Sequence, residues 1–171
     1  MVRPLLMILS GFVLTAISHG RPMDTITGTD EKFLIAASES SLEQIMFAQL
    51  GQQNSTMAEI KDLAKTIGST HANNLNKLKA MASKNLVIVP SVLNEQVNKT
   101  YKKIGNKSGS DFEKEYTDWL VGTYKECIAL FEKEILESGD DEIKSWALTA
   151  LPELRSHLEQ AILCQKKCNK T

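Results

Sequence analysis

The sequence predicts an all-α protein: four long helices in a bundle, with a long crossover carrying a short extra helix between the second and third. Three observations predict it. Apolar residues recur at three- and four-residue steps through four long segments, strand signal is almost absent, and 171 residues suit one core of ordinary size. The only β-like run is Leu86 to Val89. No internal repeat, low-complexity segment or second domain is visible.

Residues 1–20 stand apart from the fold. Met1-Val2-Arg3 is a short positive start, Leu5 to Ile17 is apolar but short for a bilayer, and Ser18-His19-Gly20 supplies small residues for cleavage. This is the pattern of a secretory signal peptide cut near Gly20, which makes the protein exported, periplasmic or secreted. No cysteine near that site offers a lipid anchor, and no later apolar run is long enough to span a membrane.

Arg21 to Thr29 reads as a mobile leader, with the bundle domain over 30–166 and a tail over 167–171. Thr29 or Asp30 caps a first helix that runs to about Gly51, with Leu34, Ala37, Ser41, Ile45 and Ala48 as its inner stripe. Gly51 to Asn54 then forms a turn. Ser55 or Thr56 caps a second helix with the cleanest spacing in the chain: Met57, Ile60, Ala64, Ile67, His71, Leu75, Leu78 and Met81. The crossover follows, extended from Asn85 to Pro90, then a short helix from Ser91 carrying Leu93, Val97, Tyr101 and Ile104. Gly105 to Gly109 is a flexible loop. A connection this long can cross the bundle, so the second and third long helices can run parallel.

Asp111 or Ser110 caps the third long helix, whose inner stripe is Phe112, Tyr116, Leu120, Tyr124, Cys127, Phe131 and Ile135. Ser138-Gly139 ends it. The last helix, from Asp141 to about Lys166, buries Ile143, Trp146 or Ala147, Ala150, Leu154, His157, Ala161 and Cys164. Pro152 inside it costs a backbone hydrogen bond and predicts a kink.

Net charge is −1, and becomes −2 without residues 1–20, whose one charged side chain is Arg3. That near-neutral, mixed surface offers no field for nucleic acid, so no nucleic-acid partner is expected. The three cysteines are an odd number for an exported protein. Cys127 reads as a core residue. Cys164 and Cys168 share a helix face at a spacing that seldom meets disulfide geometry, so a bridge between them requires the last turn to fray.

Chemistry concentrates on the two histidines that follow residue 20, His71 and His157, both on apolar stripes. At a rise of about 1.5 Å per residue, parallel second and third helices put His71, Tyr124 and His157 in one core layer. Such a layer is either a hydrogen-bonded device that fixes helix register or a site for iron or copper, which imidazole and phenolate both ligate. A carboxylate-bridged di-metal site needs about four inward acids with Glu-x-x-His pairs. No acid occupies the centre of a stripe here: Glu39 and Glu43 flank one, and Glu153 precedes His157 by four residues rather than three. Nucleophile elbows, phosphate loops, H-E-x-x-H and dinucleotide glycine turns are all missing.

The segments KFLIAASES, SLEQIMFAQLGQQ, STHANNLNKL, GSDFEKEYTDWL, YKECIALFEKE and ALPELRSHLEQA carry a resemblance. In order and spacing, from about Asp30 to Leu163, the chain resembles the exported bacterial proteins grouped as domain of unknown function 4142. Some of these are labelled predicted outer membrane proteins, and the resemblance implies a ferritin-like four-helix fold. It also marks departures. Where the family usually places Asp-His on the second and third long helices, this chain has Thr70-His71 and Thr123-Tyr124, and the Glu expected on the first helix aligns with Gln44. Only His71 and His157 remain of that polar set. The expectation is a non-catalytic envelope or interaction protein with a degenerate metal site, the alternative being a metal-binding or redox protein that uses His71, Tyr124 and His157. A third reading, a carrier of an apolar ligand, predicts a cavity between the helices.

Overall fold

Thr27 starts the first helix, α1 (Gly28–Asn54), through a capping box: its hydroxyl accepts from the Asp30 N–H while the Asp30 carboxylate accepts from the Thr27 N–H. The cap thus lies two residues before the expected Thr29, because Asp30 is the acid of the box and not the cap itself. The computed structural model describes residues 26–170. The signal segment, its cleavage site at Gly20 and the leader before Ile26 lie outside the described residues.

The helix does not turn at Gly51. It continues to Asn54, and the Ser55 N–H closes it onto the Gly51 carbonyl. Gly51 serves close approach: a Cβ there would sit 2.4 Å from the Tyr116 hydroxyl oxygen. The inner face is also broader than expected, since Phe33, Ser38, Gln44 and Phe47 are buried while Ile45 is only half-buried.

The second helix, α2 (Ala58–Lys84), buries its whole predicted stripe from Ile60 to Met81, with Met57 half-buried at its start. Neither Ser55 nor Thr56 is its N-cap residue. Met57 holds that position without a side-chain bond, and the two hydroxyls point instead at Glu113 across the core. At the far end, the Leu86 N–H reaches the Ser83 carbonyl and the Val87 N–H the Ala82 carbonyl, a Schellman closure. Its left-handed position, φ 58°, is filled by Leu86 rather than glycine.

The crossover leaves Leu86, Ile88 and Val92 exposed. Its short helix, α3 (Glu95–Gly105), starts at the Asn94 cap, three residues later than the expected Ser91, since the Asn94 side chain accepts from the Val97 N–H. Ile104 anchors α3, and Tyr101 meets Phe47 edge-on at 5.4 Å. Gly109, at φ +56°, then opens α4 (Gly109–Glu137), slightly before the expected Ser110 or Asp111. Asp140 caps α5 (Asp141–Cys168), its carboxylate accepting from the Ile143 N–H.

α5 is a single continuous helix through Pro152. The carbonyl left without a donor belongs to Leu148, and both residues face solvent, so water satisfies it.

α1 packs along α2, and α4 along α5, as two antiparallel hairpins. Asp30 near the start of α1 bonds Ser138 at the end of α4, while Glu113 near the start of α4 reaches the α1–α2 turn. α1 therefore runs antiparallel to α4, and α2 runs parallel to α4, as the length of the crossover predicts. The described residues contain five helices and no strand.

Candidate functional site

α2, α4 and α5 each deliver one member of the predicted layer, and the three meet. His71 Nε2 lies 3.1 Å from the Tyr124 hydroxyl, which lies 3.0 Å from His157 Nδ1. Ser41 of α1 lies 3.5 Å from His71 Nδ1 at the end of the chain. All four side chains are buried. The heptad-like spacing of α2 aims His71 inward, and the parallel run of α2 and α4 sets the common height.

Tyr124 has one proton to donate, so it donates to one imidazole and accepts from the other. Burial, then the nearby His157, pulls His71 down to about 3, and burial also lowers His157. Both rings are therefore neutral near pH 7, and each can act as donor or acceptor as the phenol requires. Burial pushes the Tyr124 phenol well above its ordinary value, so it is protonated near pH 7. The layer is a neutral hydrogen-bond chain across the bundle.

No carboxylate belongs to this chain. The nearest is Glu153, one turn before His157 on α5, which accepts from the Thr70 hydroxyl at 2.9 Å. Thr70, beside His71 on α2, thereby ties α2 to α5. Gln44 is fully buried, and neither its amide nitrogen nor its amide oxygen has a partner. Among the described residues, no group of three or more His, Cys, Asp and Glu side chains is arranged to hold a metal ion.

Sequence reasoning missed two acids that the fold buries, Glu113 and Glu134. The Glu113 carboxylate accepts from the Thr56 N–H at 2.7 Å and from the Ser55 hydroxyl at 2.8 Å, tying the α1–α2 turn to the start of α4. Glu134, near the end of α4, is buried against Asp30. Burial and the hydrogen bond with Asp30 push Glu134 up to about 7. Burial alone would raise Asp30 as well, but hydrogen bonds from Ser138 and Thr27 outweigh it and hold it at about 2. Glu43, beside a cleft of about 180 Å³ between α1, α4 and the crossover, is pushed up to about 7 by burial and by Glu126. The three glutamates, Glu113, Glu134 and Glu43, sit at edges of apolar stripes, where helical periodicity alone does not distinguish a solvated acid from one covered by a neighbouring helix.

Fold and layer together define an all-α four-helix protein with one long crossover and a neutral His–Tyr–His core. A family model described as a domain of unknown function, DUF4142, matches residues 18–162, so the chain belongs to that family. No curated protein matches. Among solved structures, the chain is similar to the crystal structure of a DUF305 fragment from Deinococcus radiodurans. The TM-score is 0.73 at 10% identity, covering 83% of this chain and 98% of that one, a likeness of fold alone. Among the described residues no helix is long and apolar enough to cross a membrane.

Proposed function

We propose that this is an exported, ferritin-like bundle without catalytic chemistry, acting in the cell envelope through interaction with a protein or envelope partner. In this reading the His71–Tyr124–His157 layer sets helix register. The observation that carries it is the pair of hydrogen bonds that the Tyr124 hydroxyl makes, at 3.1 and 3.0 Å, with imidazoles that burial keeps neutral. A satisfied polar layer penalises every slipped register, because a one-turn shift leaves three buried polar groups without partners. The single long crossover between parallel α2 and α4 supports the ferritin-like comparison. The composition of residues 1–20 supports export.

One observation favours a second reading, a metal-binding or redox site for iron or copper. Two imidazoles and a phenol converge in one layer, all donor types that these metals accept. Loading the purified chain with iron or copper separates the two readings. The structural reading expects no metal whose retention depends on the layer. Stoichiometric iron or copper that is lost when His71→Gln and His157→Gln are combined overturns it. Export is tested by cell fractionation and N-terminal sequencing, with a new terminus at Arg21 expected and an intact Met1 on the cytoplasmic protein as the contrary result.

A further inference from the structure

The end of the bundle formed by the α1–α2 turn, the start of α4 and the last turn of α5 gathers the sulfur atoms. The Cys168 thiol donates to the Met57 thioether at a separation of 3.7 Å. Cys164 lies one turn earlier on the same face of α5, buried, and forms part of the wall of a groove of about 400 Å³ that opens to solvent. None of the three cysteines is in a disulfide. Two sulfurs bound to one ion at roughly 2.3 Å each, at tetrahedral to trigonal angles, stand roughly 3.8 to 4 Å apart. Met57 and Cys168 already sit close to that spacing, before any ion enters.

We propose that Met57, Cys164 and Cys168 form a binding site for a soft monovalent metal ion, Cu(I). Two thiols and a thioether, with no imidazole and no carboxylate among the donors, are the ligand set that selects Cu(I) over harder ions. Zinc prefers four nitrogen, oxygen or thiolate donors, and a thioether is a poor one for it. The site is distinct from the histidine layer and goes beyond the structural reading of that layer.

Binding moves no electron. Copper arrives as Cu(I), the Met57 sulfur supplies a lone pair, and each cysteine loses its thiol proton to solvent, releasing two protons per ion. The charged groups facing Cys164 are Lys167, Glu59 and Glu113, and those facing Cys168 are Glu113 and Asp118. Lys167 pairs with Glu59 at the groove, with Lys166 and Lys170 beside it.

The test is an anaerobic titration of the reduced, purified chain with Cu(I) against a chromophoric Cu(I) chelator. One ion per chain withdrawn from the chelator, a near-ultraviolet thiolate–copper band and release of two protons are expected. Met57→Leu weakens binding by at least the roughly tenfold that outer-shell partners of a metal contribute. Cys168→Ser abolishes the band, and because Cys168 is only half-buried this variant keeps its fold even if Cys164→Ser does not. Combining His71→Gln with His157→Gln leaves the band in place. Failure to compete with the chelator, an undiminished band in Cys168→Ser, or displacement of the copper by equimolar Zn(II) overturns the proposal.

Discussion

The phenol of Tyr124 has a single proton and two imidazole neighbours, so its removal strands both rings at once. Tyr124→Phe leaves His71 Nε2 and His157 Nδ1 buried without that partner. The expected cost is about 1–3 kcal/mol, read as a lower urea midpoint with an unchanged slope. A variant as stable as the parent would show that the layer does not hold the fold. Gln44 presents the opposite case, since its buried amide has no partner to lose. Gln44→Met keeps the volume and removes that burden, so it should raise stability by roughly 1–2 kcal/mol in the same measurement. A drop would show that the amide is engaged in the folded protein. That His71, Tyr124 and His157 point inward was legible from stripe spacing alone. The isolation of Gln44 was not, because a glutamine at that position gives no sequence sign of which neighbours surround it.

At the scale of the element, helix ends depart most from the sequence reading, and each departure has a tertiary cause. The Thr27 cap depends on Asp30, which is itself held by Ser138 of α4. The turn before α2 is held by Glu113, more than fifty residues away in sequence. At the end of α2, Leu86 occupies the left-handed position of a Schellman closure and is 89% exposed, so its side chain returns little for the backbone strain. Leu86→Gly relieves that strain while adding some unfolded-state entropy, for an expected net gain of about 0.5–1 kcal/mol in thermal or urea unfolding. A loss of stability on substitution would mean that the exposed leucine packs against something after all. Pro152 is accommodated because the carbonyl it leaves free faces water.

For the whole molecule, the buried titrating groups fix how stability follows pH. His71 binds its proton near 3 in the fold against 6.5 when unfolded, so the unfolded chain holds more protons in that window and stability falls as pH drops through it. Asp30 adds a loss as pH falls from 3.8 to about 2. Glu134 acts in the other direction: its folded value of about 7 exceeds 4.5, so the folded state holds the extra proton and stability falls as pH rises through that window. Glu134→Gln removes the alkaline-side loss. Relative to the parent, its unfolding free energy should improve by on the order of 1–3 kcal/mol between pH 4.5 and about 7, measured by urea titration. A parallel pH profile for the two proteins would place the Glu134 charge in water.

By itself, the sequence determined the helical class, the four long segments, the crossover and the inward histidines. These follow from apolar periodicity and segment length, which are local properties of the chain. Only the tertiary structure decided which acids are buried, which helix holds the turn between two others, and that Tyr124 joins the two imidazoles in a neutral chain. It also decided that Met57 meets Cys168 across 111 residues of sequence. Each of these depends on how one helix is rotated and shifted against its neighbour, and that relation is fixed by packing over the whole core rather than by the pattern along any one helix.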